Sequence, residues 1–231
     1  MRKSLLIFSL LLMLGLLVAC GSSENETENN NESEVETVEF SDEELVDDDE
    51  IVLTINETEI MGEQYNSLYV QNKIRLHQYR QDISDLEALK EQTLEMLIDQ
   101  ELLKQDAEQK EVSVTTEELD EEFKSIKDEV TTEQFVSFLE GNQITEEEFK
   151  EQLHFSLLYE KYVTETMPET EVSDDEVEEL YQELKGEQED FPELEEVAEY
   201  LKTELINQKK YEYVEEQLSQ LREEADIEKN L

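Results

Sequence analysis

Few residue types in this chain carry the chemistry of a reactive site. It contains two histidines, His77 and His154, one cysteine, Cys20, and 65 Asp and Glu. Acid–base or nucleophilic catalysis needs a His, thiol or hydroxyl within hydrogen-bond reach of a partner, and a structural metal needs several ligands at short, regular spacing. His77 and His154 fall on separate helical stretches, and neither has a Cys or a second His one turn away. Each therefore reads as an ordinary helix-surface or boundary residue. Adjacent carboxylates recur throughout (Glu121-Glu122, Glu146-Glu147-Glu148, Asp174-Asp175-Glu176), so their adjacency singles out no general acid and instead marks solvated faces. No D-x-D-x-D-G calcium loop, P-loop, dinucleotide fingerprint or nucleophile elbow occurs. The reading at this level is a protein that binds without reacting, with no catalytic residue, no metal and no cofactor.

Composition narrows the partners. Eighteen Lys and Arg against 65 Asp and Glu give a net charge of −47 over 231 residues, which repels nucleic acid and any anionic membrane surface. Five glycines and two prolines favour long helices over turn-rich architectures. A single cysteine rules out an intramolecular disulfide. Its setting is informative. Arg2 and Lys3 precede an apolar run over residues 5–18, and Leu17-Val18-Ala19-Cys20 resembles a bacterial lipobox. The expectation is a signal peptide over residues 1–19, removed before Cys20, whose thiol carries the lipid. Two acyl chains hold a protein where one binds only marginally, at about 0.8 kcal/mol per buried CH₂. The chain would then sit on the extracytoplasmic face of a bacterial cell membrane, in a Gram-positive organism.

The elements follow from periodicity. Residues 20–50 hold fourteen Asp or Glu and no Lys or Arg, which predicts a disordered acidic linker from the lipidated Cys20 to the body. Residues 51–60, IVLTINETEI, alternate β-prone types about Asn56-Glu57 and predict a hairpin. Apolar or aromatic residues at 65, 68, 69, 76, 79 and 83 mark a first long helix. Ser84 with Glu87 suggests a capping box for a second, running to about Lys110 with Leu94, Leu97, Ile98, Leu102 and Ala107 on one face. A β-prone break at Val112-Ser113-Val114 follows. Further boxes open helices at Thr115/Glu118, Thr131/Gln134, Thr145/Glu148 and Ser173/Glu176, with Gly141-Asn142 as a stop. Pro192 precedes the last and longest helix, whose stripe includes Leu194, Leu201, Val214 and Leu221, and Ala225-Asp226-Ile227 suggests a closing strand.

Two of these stretches, LIDQELLKQDAEQKEVSVTTEELDEEF and ITEEEFKEQLHFSLLYEKYV, resemble the N-terminal chaperone domain of the SurA, PrsA and trigger-factor-like family. The opening strand is similar to the family's V-x-V-N-G-x-x-I, except that Glu57 stands where the family has Gly, which leaves Asn56 to take any left-handed backbone. The resemblance implies a mainly α, multi-helix domain over residues 51–231, with a small β element pairing the start and end of the folded region. It also implies a membrane-anchored extracytoplasmic chaperone, holdase or foldase-like, whose partners are unfolded or nascent secreted proteins. SurA and PrsA insert a parvulin-type prolyl isomerase between the helix VSDDEVEELYQEL and the final helix. Here only LKGEQEDF bridges that gap, so isomerase chemistry is not expected. A non-chaperone scaffolding lipoprotein is the alternative, and a residual isomerase a third. The rings of Tyr65, Tyr69, Tyr79, Phe155, Tyr159 and Tyr162 serve either as core or as client contacts. The acidity suits a protein of saline or alkaline surroundings and favours cationic clients.

Overall fold

The computed structural model describes residues 38–41, 43–187 and 191–231. The apolar leader, Cys20 and the first part of the linker lie outside the described residues. The body opens with strand β1 (Ile51–Ile55), which turns at Asn56-Glu57 into β2 (Thr58–Met61). Asn56 carries the turn with φ 53°, as a Glu at the next position requires. β1 is also paired, antiparallel, with β3 (Ile227–Lys229), giving the order β2-β1-β3. The closing strand thus begins at Ile227, because Ala225 caps the preceding helix instead. Asn56 locks this junction: its N–H donates to the Asp226 carbonyl (2.7 Å) and its Oδ1 accepts from the Asp226 N–H (3.1 Å).

Seven helices follow the hairpin among the described residues: α1 (Gly62–Gln78), α2 (Leu86–Gln109), α3 (Thr116–Glu129), α4 (Thr132–Gly141), α5 (Glu146–Thr166), α6 (Asp174–Glu187) and α7 (Leu194–Glu224). Capping boxes form at Thr115/Glu118, Thr131/Gln134, Thr145/Glu148 and Ser173/Glu176, where each hydroxyl accepts from the backbone N–H three residues on. The start of α2 differs from the expected Ser84/Glu87 box. Asp85 is the cap and accepts from the Ala88 N–H, while Ser84 donates to Asp82. Carboxylates are strong caps, and Asp85 is the closer to the first helical turn. The stop at Gly141-Asn142 places its left-handed residue at Gln143 rather than at glycine.

Three of the capping carboxylates do a second job. Glu118 binds Lys161 of α5, Glu176 binds Lys209 of α7, and Glu148 accepts from Ser67 of α1 (2.8 Å). A local motif that starts a helix therefore also ties it to a distant one. Lys161 and Lys209 hold Glu118 and Glu176 well down, to about 2, with their own cap bonds adding to the effect.

The apolar faces assemble successive clusters. The sheet, α1 and the first half of α2 enclose Val52, Leu53, Ile55, Tyr65, Tyr69 and Leu94, sealed by Leu218 and Leu221 of α7. The second half of α2 packs with α5 and the middle of α7 around Leu103, Ala107, Leu158, Tyr162 and Val214. The far end of α7 packs with α6 around Val177, Tyr181 and Leu201. Phe123, Phe135, Phe138 and Phe149 form an aromatic cluster joining α3, α4 and α5, with centroids 5.6 to 6.1 Å apart and every contact edge-to-face except the tilted Phe123–Phe149 pair. At about 1.5 Å per residue, α7 is a beam roughly 46 Å long and reaches three of these clusters.

Part of the segment expected as linker packs on the body. The described residues among 38–50 form no helix or strand, yet Phe40, Leu45 and Val46 pack onto the first core. Glu44 is buried and ion-paired with the equally buried Lys73 of α1. The Gly62 N–H donates to the Glu50 carbonyl and the Glu63 N–H to the Asp48 carbonyl, so this segment caps α1. A Cβ at Gly62 would collide with the Asp47 carbonyl oxygen, which is why glycine opens the helix. The acidic composition concealed three apolar anchors.

Candidate functional site

The rings proposed from the sequence divide in two. Tyr65, Tyr69 and Tyr162 are at most 2% exposed and belong to the core. Their hydroxyls are committed: Tyr65 donates to the Glu44 carbonyl (3.3 Å), Tyr69 to Glu44 Oε2 (2.9 Å) and Tyr162 to Asp106 Oδ2, which Lys110 also binds. Burial, reinforced by the Glu44 carboxylate, pushes Tyr65 up to about 12, and burial with Asp106 raises Tyr162 further. These three are structural in this conformation and present no ring to a ligand.

The other three lie outward. Tyr79 caps the end of α1 and is 54% exposed. Phe155 and Tyr159, one turn apart on α5, are half-buried against the second cluster, with the Lys104 ammonium 5.9 Å from the Phe155 centroid. Burial raises the Tyr159 hydroxyl, with Glu215 and Tyr211 of α7 adding to it. Tyr211 itself is 62% exposed and Tyr200 67%, while Val136 of α4 is also open. Eleven residues separate Tyr200 from Tyr211, almost three whole turns at 3.6 residues each, so the two rings share one face of α7. Sequence reasoning missed both because it followed the apolar stripe of that helix. The available signal was an aromatic residue standing off the stripe.

A hollow of about 290 Å³ lies where the end of α5 passes α7, lined by Val163, Met167, Pro168 and Ile206 together with Lys209 and Lys210. Its mixed lining suits an amphipathic side chain. Most cations elsewhere cross-link the scaffold. Arg222 donates to Asp99 (2.8 Å) and Glu95, and Lys229 to Glu95 (2.7 Å) and Glu91, binding the end of α7 and β3 to α2. Burial opposes ionisation of Glu95, but Lys229 and Arg222 outweigh it and hold that carboxyl low. Asp99 is instead pushed up by burial, with Glu215 and Glu95 adding to the effect despite Arg222.

His77 ends α1 and His154 lies on α5. Among the described residues no three His, Cys, Asp or Glu side chains converge to hold a metal, and no helix is long and apolar enough to cross a membrane. What remains is a scaffold of long helices with exposed rings, the hollow beside α5 and α7, and a carboxylate-rich surface.

That architecture, with a sheet joining the first strand to the last, is the class of a mainly helical domain clasped by a small β element. The family model of the SurA-like N-terminal domain matches residues 2–163, and the chain belongs to this family. Foldase protein PrsA of Caldanaerobacter subterraneus subsp. tengcongensis is 27% identical over 197 residues, covering 80% of this chain and 53% of that protein. The chain therefore spans about half the length of this relative. A solved structure from the work on PEB4 and Cj1289, two SurA-like chaperones of Campylobacter jejuni, superposes with a TM-score of 0.51 at 13% identity. It covers 78% of this chain and 98% of the other, and the two share a fold.

Proposed function

We propose that this protein is an extracytoplasmic chaperone, tethered to the cell membrane through Cys20, that holds unfolded segments of exported polypeptides without altering their bonds. The observation that carries this reading is the set of outward rings, Tyr79, Tyr200 and Tyr211, with half-buried Phe155 and Tyr159, on a scaffold of the SurA-like family. Aromatic side chains bury large apolar areas with few rotatable bonds, so they grip many sequences weakly. The surrounding carboxylates favour clients with basic residues flanking the gripped segment and keep copies of the protein apart. The PrsA relative is named a foldase, and the similarity to it supports a role in the folding of other chains.

The test is aggregation of a chemically denatured client at equimolar chaperone. The wild-type chain suppresses light scattering, and the double variant Tyr200→Ala/Tyr211→Ala loses at least half of that suppression while keeping its helical circular dichroism. No suppression by the wild type would end the reading. Burial of Tyr65, Tyr69 and Tyr162 shrinks the available surface and favours, as a second reading, a dedicated scaffold for one folded partner. Recovery of a single stoichiometric partner instead of many unfolded ones would select it.

A further inference from the structure

The contacts between residues 38–46 and α1 have the form of peptide recognition. Asn66 reads the backbone of Val46 in both directions: the Val46 N–H donates to Asn66 Oδ1 (3.0 Å) and Asn66 Nδ2 donates to the Val46 carbonyl (2.8 Å). Lys73 reads one side chain and one carbonyl, donating to Glu44 and to the Glu39 oxygen (2.8 Å), and its ammonium stands 5.0 Å from the Phe40 centroid. Tyr69 donates to the same carboxylate, and Tyr65 to the Glu44 carbonyl. Phe40, Leu45 and Val46 supply the apolar contacts. No ladder of strand or helix hydrogen bonds fixes the described residues of this stretch, 38–41 and 43–46. From residue 47 onward the attachment changes character, because Asp48 and Glu50 carbonyls cap the first turn of α1.

We propose that residues 38–46 are a displaceable strap, an internal ligand seated in a peptide groove on α1, hinged at Asp47-Asp48-Asp49. When the strap leaves, the groove takes an extended client segment of the same pattern: an aromatic or large apolar residue, a carboxylate four residues on, then two aliphatic residues. This second half rests on the chaperone reading; the strap itself does not. Release is favoured by charge. Four of the nine residues are acidic and three aspartates follow, whereas Lys73 is ion-paired in the groove with Glu44. Repulsion among the exposed carboxylates is screened by salt, and the buried Glu44–Lys73 pair is screened far less. Salt therefore seats the strap and dilution loosens it. Segments with few buried apolar contacts open locally, below the cost of global unfolding.

Two measurements on the full chain decide this. In hydrogen–deuterium exchange, the amides of residues 43–46 exchange at least about tenfold faster than those of β1, and the gap narrows between about 0.05 M and 1 M NaCl. Exchange of both sets at one rate, through global unfolding, overturns the strap and needs no variant. A fluorescent synthetic peptide of residues 38–46 binds the unlatched variant Phe40→Ala/Leu45→Ala at least about tenfold more tightly than wild type, and adding Lys73→Met removes the gain. Equal binding to wild type and unlatched protein overturns the groove. If the strap opens and the peptide binds, yet the unlatched variant suppresses client aggregation no better than wild type, the client half falls. A wild-type chain that suppresses aggregation while its strap exchanges with β1 removes the strap and leaves the chaperone reading standing.

Discussion

Arg80, Glu111 and Gln143 have φ of 55°, 58° and 52°, each just past the end of a helix. At all three the hydrogen bonds run in the same pattern, for example Glu111 N–H to the Glu108 carbonyl and Val112 N–H to the Ala107 carbonyl. That is the left-handed stop usually given to glycine, and a side chain there costs about 1–2 kcal/mol. Allowing for the greater flexibility of glycine when unfolded, Glu111→Gly and Gln143→Gly each stabilise the protein by about 0.5–1 kcal/mol, read as a higher urea midpoint. Glu44 supplies the opposite case. Burial raises its carboxyl, but Lys73, Ser41 and Tyr69 outweigh that and hold it at about 2, below its ordinary 4.5. The stabilisation is complete above pH 4.5 and disappears as pH falls through 2. Glu44→Gln is thus less stable than wild type by about 3 kcal/mol at pH 7. The gap between the two closes between pH 4.5 and 2, which denaturant titrations across that range measure.

Among the elements, those announced by side chains acting on their own backbone were legible from sequence. Thr115/Glu118, Thr131/Gln134, Thr145/Glu148 and Ser173/Glu176 start helices where the motif says, because the hydrogen bonds are local. Ser84/Glu87 misled because Asp85, a stronger competitor, sits one residue nearer the helix. Residues 38–50 misled for a different reason: charge dominates their composition, and burial of Phe40, Leu45 and Val46 depends on partners in α1 that no local pattern reveals. The same limit applied to the rings. Tyr65 and Tyr69 lie on the inward stripe of α1, and only packing shows that Tyr200 and Tyr211 stay outside. The double use of Glu118 gives an element-scale prediction. Lys161→Met leaves the cap of α3 intact but frees its start from α5, so amides of residues 116–120 exchange faster while those of α5 change little. Thr115→Ala instead removes the hydroxyl that accepts from the Glu118 N–H and costs about 1 kcal/mol.

For the whole molecule, a net charge of −47 sets the working conditions. Ion pairs such as Arg222 with Glu95 and Asp99 employ the few cations as internal ties, and the surplus carboxylates repel one another. Salt shortens the Debye length from about 30 Å at 0.01 M to about 3 Å at 1 M, so the melting temperature rises with NaCl. A flat or falling curve would show that the ties matter more than the repulsion.

β1 lies between a neighbour only a few residues downstream and another, β3, some 170 residues later. A polypeptide leaving the ribosome or a translocation channel delivers its beginning first, so one edge of β1 stays open until the residues of β3 have arrived as well. Closure of this sheet consequently waits on a strand made some 170 residues after its partner, and until then β1 carries an unpaired row of N–H and C=O groups along one edge.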